Sequence, residues 1–137
     1  MLVKRFDFIL VDDVPVNNLL ARRIIEKTYP DALVRCFTEV DTVIGYLSGL
    51  VGTPESAAES ILLLDIYMPG LNGWDFLQLF EQFESGSFPN MKIWMLSSSI
   101  SNADKERAEA IPLVAGYILK PFSADKIREI VVASLSR

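Results

Sequence analysis

Five short, largely apolar runs recur along the chain, over residues 6–11, 33–37, 61–64, 92–96 and 115–119. Continuous apolar stretches of this length, rather than alternating ones, suit strands buried on both faces of a parallel sheet. Four of them stop at polar residues: Asp12-Asp13 after the first, Asp65 after the third, Ser97 after the fourth and Lys120 after the fifth. Between the runs, apolar positions return at helical spacing. Pro15 suits a first helical turn, and Val16, Leu19, Leu20 and Ile24 carry a helix to the stop at Tyr29-Pro30. Further helices are predicted over 40–50, 73–84, 102–110 and 123–135, with Phe76, Phe80 and Phe83 as core packing of the 73–84 helix. Strands alternating with helices imply an α/β fold: a five-stranded parallel sheet, covered on both faces as a three-layer sandwich, with right-handed crossovers.

One stretch breaks this rhythm. Residues 48–60 are rich in Ser, Gly and Ala and carry Thr53-Pro54, which reads as an extended surface loop. Loops absorb such additions at little entropic cost, so a tolerated insertion explains it and no function is assigned.

Length and charge narrow the picture. A chain of 137 residues, half of them apolar, fits one domain over 1–137 with a real core. Eighteen acidic against thirteen basic residues give a formal charge of −5, which argues against direct nucleic-acid binding. No apolar run approaches the roughly 20 residues of a membrane span. The first five residues, Met1 to Arg5, lack the apolar core of a signal peptide, so a cytoplasmic protein is expected. Cys36 is the only cysteine and lies in an apolar stretch, where a core role outweighs a chemical one. The chain has no histidine, so zinc ligation by imidazole and an internal phosphohistidine are both excluded.

The polar strand ends supply the candidate chemistry. With strand order 2-1-3-4-5, the first and third strands are neighbours, and Asp12, Asp13 and Asp65 converge at the carboxyl edge where such sheets bind ligands. Clustered carboxylates repel unless a divalent cation neutralises them, and an all-oxygen donor set selects a hard ion such as Mg2+. Lys120 adds a point charge and Ser97 a hydroxyl donor, which together equip the site for phosphoryl transfer with Asp65 as nucleophile.

Taken together, Asp12-Asp13, the run Leu62-Leu63-Leu64-Asp65-Ile66-Tyr67-Met68-Pro69-Gly70-Leu71-Asn72-Gly73, the serine at 97 and Tyr117-Ile118-Leu119-Lys120-Pro121-Phe122 resemble the receiver domains of two-component response regulators, of the single-domain chemotaxis-regulator type. The resemblance spans essentially the whole chain. It implies a flavodoxin-like fold, with Asp65 as phosphoacceptor and Mg2+ bound by Asp13, Asp65 and the backbone carbonyl of Tyr67. Asp12 would act through metal-bound water, Lys120 would pair with the phosphoryl group, and Ser97 and Tyr117 would move as the switch. A histidine kinase or histidine phosphotransfer protein would donate the phosphate. The face of the fourth helix, fifth strand and fifth helix would carry the output, and the fourth helix, with only Ala as apolar anchors, should shift easily. The resemblance also implies a cis peptide at Lys120-Pro121. Such a protein catalyses only its own phosphorylation and dephosphorylation.

Two positions depart from the family pattern: Asn72, where Asp is usual, and the bulky Tyr67 two residues after the acceptor. Asn caps a helix about as well as Asp. Tyr67, with Ser99 opposite, is expected to tune rates by shielding the acyl phosphate from water.

Other readings stand beside this one. Alone, Asp12-Asp13 suits a solvated pair, Lys120-Pro121 a strand exit, Ser97-Ser98-Ser99 a polar turn and Tyr117 a core aromatic. A flavin or nucleotide binder would need a Gly- or hydroxyl-rich loop where this chain has two carboxylates. A metal-dependent phosphatase would need a second acid near Asp65, where Tyr67 stands. A degenerate receiver, acting as a phosphorylation-independent interaction module, is the alternative that stays open.

Overall fold

The third run reads Ser-Ile-Leu-Leu-Leu-Asp, and every one of these six residues is buried. That burial follows from a central position in the sheet. In the computed structural model, which describes residues 6–98 and 101–135, the strands are β1 (Asp7–Val11), β2 (Leu33–Phe37), β3 (Ser60–Asp65), β4 (Met91–Ser97) and β5 (Val114–Leu119). They pair in parallel in the order β2-β1-β3-β4-β5, so β3 lies between β1 and β4. The helices are α1 (Pro15–Thr28), α2 (Val40–Leu50), α3 (Gly73–Phe80), α4 (Asn102–Glu109) and α5 (Ala124–Leu135). This is the flavodoxin-like arrangement expected from the alternating pattern.

The two-residue period of the strands divides the core into two layers. Ile9, Val11, Leu62, Leu64, Ile93 and Met95 face α2 and α3, packing on Val43, Leu47, Phe76 and Leu77. Phe8, Leu10, Ile61, Leu63, Trp94 and Leu96 face α1 and α5, packing on Ala21, Ile25, Ile127 and Ile130. Each fully buried side chain of this kind stabilises the fold by about 1.5–3 kcal/mol.

Three expectations change. The helix at 15–28 forms, but Val16, Leu19 and Leu20 are exposed, at 54%, 45% and 54%, while Asn18, Ala21 and Ile25 face the sheet. Asn18 donates from Nδ2 to the carbonyls of Asp12 (3.0 Å) and Phe37 (3.1 Å), tying the ends of β1 and β2 together. Satisfying two strand-end carbonyls with the side-chain amide lets a polar residue take a core-facing position.

The third helix ends at Phe80, not Glu84. Beyond it Gln82 and Phe83 donate to the carbonyls of Leu79 and Phe80, tight turns that bring Phe83 onto Phe80 and Phe88.

The 48–60 stretch is less loop than expected. Its first residues complete α2, and Pro54–Ala57 form a 3-10 turn pinned by Asn90, whose Nδ2 donates to the Ala57 carbonyl at 2.6 Å. Cys36 is partly buried at the edge of the α1/α5 layer.

Candidate functional site

The carboxyl edge of the sheet brings the predicted residues together. β1 delivers Asp12 and β3 ends on Asp65, which are 6% and 7% exposed. Asp13 sits beside them, and carboxylate oxygens of Asp12, Asp13 and Asp65 lie within 4.8 Å of one another. β4 ends on Ser97, which is fully buried, and the backbone N–H of Lys120 donates to the Ser97 carbonyl at 2.8 Å. The Lys120-Pro121 peptide is cis.

Local geometry explains why the edge holds its shape. The Asp12 carboxylate accepts from the backbone N–H of Val14 at 2.9 Å and from Asn17 Nδ2 at 3.4 Å, so its orientation is set by the turn into α1. Past β3, Asn72 caps α3: its Oδ1 accepts from the Asp75 N–H (3.0 Å), and Asp75 accepts from the Asn72 N–H (2.8 Å). This reciprocal pair satisfies two helix-end donors. Gly73 then brings α3 against the strand end. A Cβ there would lie 2.8 Å from the Asp65 carbonyl oxygen and 2.9 Å from Ile66 Cα, so only glycine fits.

Lys120 Nζ lies 2.5 Å from Asp12 Oδ2 and 3.5 Å from Asp65 Oδ1. One ammonium thus serves two carboxylates, with a third close by. Burial pushes the Asp65 carboxyl up to about 6 against the pull of Lys120, with Asp12 and Asp13 adding to the rise. Three oxygen donors, two of them buried, with only one ammonium ion-paired to them among the described residues, fit a hard divalent cation.

Tyr67 extends from the loop after β3 and is 55% exposed. Its hydroxyl donates to Asp104 Oδ2 on α4, and that bond raises the tyrosine pKa. Tyr117 on β5 is partly buried and packs against the layer that holds Met95 and Ala108. Ser99 lies outside the described residues. Sequence reasoning did not single out Asn18 or Asp104, and it read Leu20 only as part of the helical spacing of α1. No local pattern marks Asn18, whose partners are strand-end carbonyls. On the α1 side, a groove of about 520 Å3 opens next to the cluster, lined by Asp12, Leu20, Ile24, Lys120, Pro121 and Phe122 among others.

The model of the response regulator receiver domain matches residues 8–132. The chain belongs to this family. Receiver domains are the signalling switches of two-component systems, and the acidic cluster sits where the fold binds its ligands. Among solved structures, a two-component response regulator from Cytophaga hutchinsonii is 29% identical, with a TM-score of 0.87 over 98% of this chain and 100% of that one. A response regulator receiver protein from Dyadobacter fermentans is 24% identical, with a TM-score of 0.84 over 96% of this chain and 99% of that one. A CheX–CheY–BeF3–Mg2+ complex from Borrelia burgdorferi is 16% identical, with a TM-score of 0.73 over 96% and 90%, and shares the receiver fold. No curated protein sequence matches the chain. Among the described residues, no helix of this receiver is long and apolar enough to cross a membrane.

Proposed function

We propose that this receiver accepts a phosphoryl group on Asp65 from a phosphohistidine of a partner kinase or phosphotransfer protein in the cytoplasm. The observation that carries the reading is the convergence of Asp12, Asp13 and Asp65 with Lys120 at one sheet edge. With its carboxyl near 6, Asp65 is mostly ionised at neutral pH and available as a nucleophile. A carboxylate oxygen attacks phosphorus, the P–N bond of the donor breaks, and its electron pair leaves on the imidazole. An acyl phosphate on Asp65 results.

Asp13, Asp65 and the backbone carbonyl of Tyr67 would hold Mg2+, with Asp12 acting through water. Bound there, the ion supplies electrostatic stabilisation of the phosphoryl oxygens. Lys120 turns from Asp12 toward the new phosphoryl group. Ser97, ending β4 beside β3, donates its hydroxyl to the same group, and Tyr117 follows by turning inward. The face of α4, β5 and α5 then presents the signal to a target protein.

These 137 residues hold no histidine, so the phosphohistidine donor lies outside them. The α1 side suits its approach: Val16, Leu19 and Leu20 are exposed apolar residues, and Leu20 lines the groove that reaches Asp12 and Lys120. A helical phosphodonor laid along α1 would bring its phosphohistidine to Asp65.

The test is intact mass after incubation with acetyl phosphate and Mg2+. A gain of one phosphoryl group is expected in the parent, weakened in Asp13→Asn and absent in Asp65→Asn. Persistence of the gain in Asp65→Asn would place the nucleophile elsewhere.

A further inference from the structure

α4 has almost no apolar anchorage. Its sequence, Asn-Ala-Asp-Lys-Glu-Arg-Ala-Glu, buries only Ala108. A helix so polar is held by what its side chains meet on neighbouring elements rather than by a hydrophobic stripe. Among the described residues, two contacts of this kind stand out. Asp104 accepts the hydroxyl hydrogen of Tyr67, and the Arg107 guanidinium lies 4.1 Å from the ring centroid of Trp74, in the first turn of α3. Asp104, Arg107 and Ala108 stand three and four residues apart, so they share one face of α4. That face looks toward the loop after Asp65 and the start of α3.

The two contacts differ in what they join. Trp74 is 8% exposed and fixed in the core, so Arg107 ties α4 to a rigid body. Tyr67 stands two residues from Asp65, on the loop that follows β3. Asp104 is also the third residue of α4, where its own N–H donates to the Ser101 hydroxyl oxygen at 3.3 Å, so a pull on its side chain acts at the helix start.

We infer that the Tyr67–Asp104 contact is a latch that holds the N-terminal half of α4 to the acceptor loop and restrains that helix until the loop moves. The consequence for signalling rests on the receiver reading above; the latch itself does not. Tyr67→Phe keeps the ring and removes only the hydroxyl. Asp104→Ala removes the acceptor, but also a favourable charge at a helix N-terminus, which loosens α4 by itself. The pair of backgrounds separates these effects.

Hydrogen exchange of the amides of residues 102–109 reads the latch without any phosphate. Tyr67→Phe should speed it about threefold to tenfold, the worth of one net hydrogen bond to a charged acceptor near solvent. Asp104→Ala should speed it more in the parent than in the Tyr67→Phe background. Equal exchange in parent and Tyr67→Phe, or the same effect of Asp104→Ala in both backgrounds, would overturn the latch. A second arm adds acetyl phosphate and Mg2+ and follows mass and exchange together. The phosphate-induced rise at 102–109 should be smaller in Tyr67→Phe, part of the release having already occurred. An undiminished rise would overturn the restraint. If the parent gains no mass, the phosphoacceptor reading fails instead, and the phosphate-free arm alone decides the latch.

Discussion

The centre of the sheet and its α4–β5 flank are built on opposite principles. Around Asp65, β3 is buried along its entire length, α3 approaches so closely that Gly73 admits no Cβ, and Asn72 and Asp75 close the helix start. On the flank, α4 buries one alanine, and every residue of β5 keeps some exposure. Position in the first region is over-determined by packing. In the second it rests on a few polar and aromatic contacts, each worth about a kcal/mol or so. A switch needs both: reacting groups held in place, and a neighbouring element that a small change in free energy can move.

The largest effect should come from testing that contrast directly. Leu64 is 0% exposed and lies between Val11 and Met95 in the strands on either side, one residue before Asp65. Leu64→Ala should lower unfolding free energy by about 2–5 kcal/mol in urea denaturation. Ala108→Gly, at the one buried position of α4, should cost only about 1 kcal/mol. Comparable losses from the two would mean that α4 is as firmly embedded as the centre.

The same division explains what could be read from the chain. The central strands were legible because a strand buried on both faces has to be apolar throughout, and its polar terminus then marks the site. That is how Asp12, Asp13, Asp65, Ser97 and Lys120 stood out. The helices gave their existence more readily than their orientation. On α1, Leu19 and Leu20 keep helical spacing, yet it is Asn18 that faces the sheet because its amide meets two strand-end carbonyls, a tertiary fact that no helical period encodes. The end of α3 was hidden for a similar reason: Phe83 keeps helical spacing with Phe80 in sequence but reaches it through tight turns. The Tyr67–Asp104 contact joins residues 37 apart. It was out of reach of any local pattern.

A middle-sized effect concerns charge at the centre. Burial raises the Asp65 carboxyl from 3.8 to about 6, so between those values the folded protein holds a proton that the unfolded chain has released. Stability from this group is therefore fully present below about 3.8 and is lost as pH rises through about 6. The full shift would correspond to about 3 kcal/mol, and solvent at the mouth of the site reduces this to about 1–2 kcal/mol. In metal-free buffer, Asp65→Asn should thus exceed the parent in stability by about that amount at pH 7, with the gap closing toward pH 4. Melting temperatures across that range give the readout. A constant gap would show that the substitution acts through packing, not through the buried charge.

The smallest effect bears on where the two regions meet. Tyr67 leaves the buried centre at the residue after Ile66 and reaches the sparsely packed flank through Asp104, with more than half its surface exposed. A ring so exposed, two residues from Asp65, should hinder attacking water rather than exclude it. Asn at the same position is shorter, loses the bond to α4, and offers an amide that can orient a water molecule. First-order loss of phosphate from Tyr67→Asn, in excess Mg2+ and without partners, should therefore be faster than from the parent by about threefold. That factor is a barrier difference of only about 0.6 kcal/mol, as expected for one exposed side chain at the edge of a site. Tyr67→Phe separates the two contributions, because it keeps the ring and frees it from α4. If the ring itself shields the phosphate, loss from Tyr67→Phe should stay near the parent rate while Tyr67→Asn accelerates. If the tether matters more, both variants should accelerate alike, and access to Asp65 would then be governed from the flank. An unchanged or slower rate in Tyr67→Asn would rule out shielding and leave Tyr67 as a contact of α4 alone.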